Sequence, residues 1–438
     1  MTGVAEPVTH HSNRQRFLGL VRRSPWLSGL PREVVILAMI AFCVALGFGI
    51  VAPAIPIFAT SFGVSAFAAG AVVSVFALMR FVSAPGAGSA VNRLGERIIL
   101  SGGLVIVAVS SVLAGLAGTY TQLVVMRGIG GVGSAMFTVS AMALLLRTTN
   151  HRQRGRASSA FQAGFLFGGV TGPAVGGLVM SVSLRAPFFL YSATLVLATV
   201  VAVVFLRSPA QIEHAEAQAA GAQAGGAAAD AVRPTGETEA GTAAPTLRSA
   251  VRQRSYRTAL VANLNNGLIT FGIRMAIVPL FVTKALSLGP AWAGFGFLVS
   301  AIFQAAALVP AGRIADQRGR KPAMILGAAA TLAGMIILVI GLNAVVYLLA
   351  MLFLGVGGAF LGSAPPAVVG DVIGNRPGGT VVSTFQMVSD FGAVCGPLLA
   401  GWLADVAGFH AAFAVGVVAA GLLLIMAVRM HSPLTGRI

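Results

Sequence analysis

The sequence predicts an all-α integral membrane fold: twelve transmembrane helices in two six-helix, pseudo-symmetric halves. Three observations carry this. Of 438 residues, 57% are hydrophobic and 9% charged, where a soluble domain has roughly 25% charged residues. Eight stretches, 34–79, 98–126, 128–146, 157–184, 186–206, 285–312, 322–370 and 406–428, carry no Asp, Glu, Lys or Arg. Third, several motifs recur in the second half of the chain at a nearly constant offset. A soluble interior cannot hide this much apolar side chain, and the same composition excludes disorder for most of the chain. A spanning helix needs about 20 mostly apolar residues, which the uncharged stretches supply. Barrel strands would instead alternate apolar and polar residues.

The helices are expected at Val34–Ala59, Ala68–Gly88, Ile98–Ala117, Gln122–Leu146, Ala157–Met180, Pro187–Leu206, Thr258–Val282, Trp292–Gly312, Ala323–Gly341, Ala344–Val369, Val381–Leu403 and Phe409–Ala427. Cations set the topology. With the N-terminus inside, 24 of the 29 Lys and Arg fall in cytoplasmic segments and two, Arg185 and Lys284, outside. That is a strong positive-inside bias. It explains the net charge of +17 by orientation and contact with anionic lipid rather than by nucleic-acid binding. The expected organisation is a cytoplasmic tail (1–33), a first half (34–206), a disordered cytoplasmic linker (207–257), a second half (258–428) and a cytoplasmic C-terminal tail (429–438). Phe17, Leu18, Val21 and Trp26 among four arginines read as a stretch lying on the membrane surface. The basic end of the linker, Arg248 to Arg257, is expected there too. Cys43 and Cys395 sit in apolar runs and define no disulfide or metal framework.

The repeat is specific. Gly88, Asn92, Gly95 and Arg97 match Gly312, Asp316, Gly319 and Lys321 in one loop pattern that also holds Arg93 in the first copy and Arg320 in the second, and Gly168, Gly172, Pro173 and Gly176 match a second glycine-proline run from Gly392. The step from Gly88 to Gly312 equals the step from Gly168 to Gly392. Gly49 through Pro56 matches Gly272 through Pro279 at a step shorter by a single position. Such constancy implies two halves related by a pseudo-twofold axis along the membrane normal, with a pathway between them.

On these motifs the chain resembles the major facilitator superfamily from about Arg32 to Met430. The Gly-x-x-x-Asp-Arg-x-Gly-Arg-Lys pattern between helices 2 and 3, echoed between helices 8 and 9, is similar to the superfamily's general signature. Gly172-Pro173 on helix 5 resembles the signature of the twelve-helix drug/proton antiporters, and Arg127 with Gly131 and Gly133 resembles that group's third motif. The first loop departs from the pattern, carrying Asn92 where Asp is usual. The resemblance implies that the loops act in conformational change and that helices 1, 4, 7 and 10 line a central cavity. Gly168, Gly172 and Gly176 share a helix face, read as a bendable contact between halves; generic small-residue packing is the alternative.

Arg127, Ser134 and Thr138 share a face of helix 4, and Asn263, Asn266, Thr270 and Arg274 a face of helix 7. An arginine inside a membrane costs about 2.5–3.5 kcal/mol on insertion scales, so it faces protein or water. Phe42 and Met136 are expected to add an apolar, polarisable lining. Asp390 is the only acid well inside an expected span, which makes it the proton-coupling candidate. Arg80 lies at a similar depth on helix 2. Since helices 2 and 11 meet between the halves in this family, Arg80 and Asp390 are expected to form a gating ion pair.

No catalytic constellation, metal cluster or nucleotide-binding phosphate loop is visible, so the expected driving force is a proton gradient without a cofactor. The expected function is export of small amphipathic compounds by a monomeric proton antiporter of the inner or plasma membrane. Its partners are a small-molecule substrate, protons and lipids, with no nucleic acid. Neutral, zwitterionic or anionic amphiphiles are expected to be favoured over permanent dications. An uptake symporter or facilitator on the same fold, and a non-transporting receptor or assembly factor, are the alternatives.

Overall fold

A computed structural model describes residues 30–149, 154–206, 247–341, 343–373 and 379–430. Most of the expected tails, most of the linker and the expected surface stretch around Phe17 lie outside these residues. The described part is helical nearly throughout. The first half comprises α1 (Arg32–Thr60), α2 (Ala66–Leu94), α3 (Glu96–Gly115), α4 (Tyr120–Arg147), α5 (Arg154–Val182) and α6 (Ala186–Phe205). The second comprises α7 (Arg254–Ala285), α8 (Pro290–Gln317), α9 (Arg320–Ile340) and α10 (Ala344–Ile373), then Gly379–Val428, which is two helices. Gly408, at φ 84° and ψ 172°, takes a backbone conformation that favours glycine, and it separates α11 (379–407) from α12 (409–428).

Several helices outrun their apolar cores. α2 ends at Leu94 rather than Gly88 and α8 at Gln317 rather than Gly312. Hydropathy locates the lipid-facing core, whereas the length of α2, at 1.5 Å per residue, reaches about 43 Å, past a hydrocarbon layer of about 30 Å. The second half also starts earlier than expected. Leu247–Arg252 is a short helix, and Ala250 and Tyr256 are fully buried in the second-half core. This end of the expected linker is therefore packed structure.

The halves repeat each other's packing. α1 lies on α5 as α7 lies on α11, α3 on α4 as α9 on α10, and α2 on α4 as α8 on α10. The first of these crossings is made by glycine. A Cβ on Gly172 would stand 2.5 Å from the Leu46 carbonyl oxygen and 2.7 Å from Gly49 Cα; one on Gly396 would stand 2.8 Å from the Leu268 oxygen. This corrects the reading of the helix 5 motif. Gly168, Gly172 and Gly176 face the α1 backbone at Phe42, Leu46 and Ile50 within their own half, whereas the next residue, Gly177, packs on Gly294 of the other half.

Two seams make most of the contact between the halves, with smaller contacts of α7 on α1 and α2. Along α2–α11, Gly70 packs on the Pro397 carbonyl and Gly401 on Ala66. Asp405 accepts hydrogen bonds from the Ala66 and Phe67 amides, both at 2.8 Å, and the Ser74 hydroxyl donates to the Val394 carbonyl at 2.7 Å. Along α5–α8, Gly177 meets Gly294. These contacts run from mid-span to the face remote from the signature loops. Toward the loops, Gly86 and Gly88 on α2 and Gly312 on α8 face open space.

Candidate functional site: a cationic, aromatic cavity between the halves

A cavity of about 390 Å³ lies between the halves. Helices α1, α2, α4, α5 and α6 line it from one half and α7, α8 and α11 from the other. Its aromatic wall includes Phe48, Phe76, Phe137, Phe165, Phe271 and Phe297, and its polar groups include Arg80, Arg127, Ser134, Thr138, Tyr191, Thr270, Arg274, Ser300 and Gln304. Among the described residues, no acidic side chain belongs to the lining.

Arg127 is 4% exposed, and its guanidinium carbon lies 4.4 Å from the Phe76 ring centroid. Among the described residues no hydrogen bond or ion pair engages that guanidinium, and its Nε is buried without a partner. Arg274 Nη1 donates to Ser300 Oγ at 3.1 Å, its guanidinium lies 5.8 Å from the Phe297 ring, and its Nε is also buried and unpartnered. Arg80 differs: Nη2 meets Asp390 Oδ1 at 2.5 Å across the α2–α11 seam, with both side chains 30% exposed. At that exposure the pair is reachable by water.

α7 carries its cavity residues on a π-helical stretch, Asn266–Ile277. Such wider turns are rare and frequent at functional sites. They also alter which residues share a face. Thr270 and Arg274 reach the cavity, and both also line, with Asn266, Thr331 and Leu354, a small pocket on its flank. Asn263, expected on the same polar face, does not line the cavity: its side-chain amide donates to the Phe385 carbonyl at 2.5 Å. The 3.6-residue period fails at Asn266, which explains the misplacement.

Two expected apolar lining residues also lie elsewhere. Met136 packs on α3, its Cβ 2.8 Å from where a Gly103 Cβ would sit, and Phe42 packs against the larger hydrophobic core, which draws on both halves. Ser134 and Thr138 do line the cavity, with the Thr138 hydroxyl donating to the Ser134 carbonyl. Sequence reasoning missed Phe76, Tyr191, Phe297, Ser300 and Gln304. The repeat held a signal for two of them, since Ser300 and Gln304 are the repeat counterparts of Phe76 and Arg80 at the Gly88-to-Gly312 step.

The signature loops turn at Gly95 (φ 84°) and Gly319 (φ 97°). In the second copy Arg320 binds Asp371 through Nε at 3.0 Å and Asp316 through Nη1 at 2.8 Å. In the first, Asn92 and Arg93 are exposed, Arg97 donates to the Val203 carbonyl, and Arg147 pairs with Glu96 at 3.3 Å. Glu96 and Arg147 are the repeat counterparts of Arg320 and Asp371, so the two halves hold the same pair with its charges inverted. Both pairs lie within a half.

Among the described residues, twelve long apolar helices in two repeated halves enclose a shared cavity, the architecture of a multi-pass membrane protein. The chain belongs to the Major Facilitator Superfamily, whose model matches residues 37–275 and 259–434. It is 32% identical over 168 residues, 38% of this chain and 43% of the relative, to Multidrug resistance protein 1 of Bacillus subtilis (strain 168). It is 27% identical over 178 residues, 41% of this chain and 46% of the relative, to Quinolone resistance protein NorA of Staphylococcus aureus (strain MRSA252). The matches thus span under half the length of these relatives. A crystal structure of a mutant peptide transporter POT in complex with alafosfalin superposes with a TM-score of 0.68 at 16% identity, covering 95% of this chain and 98% of that one. At that identity the likeness concerns the fold alone.

Proposed function

We propose that the protein exports small amphipathic compounds across the plasma membrane, as a monomer with both termini cytoplasmic, by exchange for protons. The observation that carries this reading is the placement of Asp390. It is ion-paired with Arg80 of the other half, and Arg80 lines the central cavity. Protonating Asp390 removes one charge of the pair, weakens the attraction across α2–α11 and eases separation of the halves. Proton entry and the access switch are then one event. The aromatic wall suits bulky apolar bodies, and the chain's similarity to proteins named for multidrug and quinolone resistance points the same way. The contacts at the remote face support reading this conformation as closed to the outside, with the loop side as the route of substrate entry.

The test uses inside-out vesicles with an imposed proton gradient. Wild-type protein should accumulate a fluorescent amphiphile when the lumen is acid, and Asp390→Asn should abolish that uphill movement while downhill exchange persists. Uphill transport unchanged in Asp390→Asn removes Asp390 from coupling. Gradient-driven movement out of the lumen would make the protein an importer.

A further inference from the structure

The cavity holds more positive charge than its own side chains balance. Three guanidiniums line it. Arg80 has its counter-ion in Asp390, but among the described residues Arg127 and Arg274 have none. Arg127 is only 4% exposed, and a buried charge without a partner is costly. Neither guanidinium is satisfied by neutral groups either, since each keeps an unpartnered Nε and Arg274 has one hydroxyl. Each lies against the same repeat position of its half, Arg127 on Phe76 and Arg274 on Ser300. The two charges therefore come from opposite halves to one cavity.

We infer that this cavity binds amphiphiles bearing a single anionic head, a carboxylate or sulfonate, with the head at Arg127 and Arg274 and the aromatic body against the phenylalanine wall. A planar carboxylate matches the fork of donors that a guanidinium offers, and the attraction is strong in a site of low dielectric. About 390 Å³ holds a two-ring compound. A cationic head would meet two uncompensated like charges and no acid in the lining. Because the ligand would touch both halves, it also compensates charge on each side of the transport pathway. The inference names the substrate class for the transport reading and shares its site.

Three probes with one fluorophore test it: dansylglycine (anionic), N-(2-hydroxyethyl)dansylamide (neutral) and N-(2-aminoethyl)dansylamide (cationic). Each is titrated into full-length protein in lipid nanodiscs, with empty discs subtracted. The anion should bind at least about tenfold more tightly than the neutral probe and the cation more weakly still, as expected for charge-assisted hydrogen bonds. Arg274→Gln should cut the preference for dansylglycine over the neutral probe about tenfold, while Arg274→Lys restores part of it; a preference that Arg274→Gln leaves unchanged counts against the inference. The melting temperature in nanodiscs shows that the variant is folded. Equal binding of the three probes, no binding of the anion, or preference for the cation overturns the inference, as does an anion preference that survives Arg274→Gln combined with Arg127→Gln. Vesicles separate it from the transport reading. Gradient-driven export of the cationic probe without anion preference leaves transport standing and this inference lost; anion binding to a protein that moves nothing does the reverse.

Discussion

The α2–α11 and α5–α8 seams occupy equivalent places in the repeat, yet their chemistry differs. Gly70 and Gly401 in one correspond to Gly294 and Gly177 in the other by the repeat, and both glycine pairs bring backbones close. Around them the likeness ends. The charged and hydroxylic residues of the first seam, Ser74, Arg80, Asp390 and Asp405, correspond to Leu298, Gln304, Leu166 and Ser181 in the second. One seam therefore carries an ion pair, and the other is a close glycine contact without one among the described residues. The difference teaches that a shared backbone crossing is built twice, while side chains place opposite charges across only one copy of it.

The comparison orders the expected effects. The largest is at Asp390, where Asn should abolish gradient-driven transport. Next is Gly294→Ala in the apolar seam. The new Cβ would collide with Gly177 Cα, a backbone atom that cannot swing aside. Overpacking of this kind costs about 1–3 kcal/mol. It should lower the melting temperature in detergent and slow transport without altering its pH profile; an altered profile would show that proton sensitivity is not confined to α2–α11. Asp405→Asn should follow. It removes a carboxylate from the N-terminus of α2, where caps and the helix dipole are worth about 0.5–2 kcal/mol. Accessibility of a cysteine placed near Ala66 to an external thiol reagent should rise; no change would make the contact dispensable for closure. The smallest effect is expected for Ser74→Ala, which loses one hydrogen bond of about 1 kcal/mol and should change the melting temperature only slightly.

The helices and the repeat were legible in the sequence because burial in lipid imposes length, apolarity and charge asymmetry on every span. The contact of Arg80 with Asp390 was legible for a related reason: intramembrane charges are few, and helix rise places each at a depth. Facing was harder to read. Asn263 was placed by an α-helical period that gives way to a π-helical stretch at Asn266. Met136 and Phe42 are apolar, so composition says nothing about whether they meet a cavity or a neighbouring helix. The glycines of α5 show that a helix approaches closely but not which one. The inverted Glu96–Arg147 and Arg320–Asp371 pairs were within reach of the repeat offset, but exchange of the two charges hides the match when like is compared with like.

The central claim, that attraction between Arg80 and Asp390 controls the α2–α11 seam, is tested most directly by reversing the pair. Transport should be measured in vesicles for Arg80→Asp, Asp390→Arg and the double variant, with melting temperature as the control for folding. Each single change leaves two like charges opposed across the seam and should eliminate transport. The double change restores an attractive pair and should recover a measurable fraction of it, a coupling that independent sites do not show. A folded double variant that is as inactive as the single variants would contradict the account.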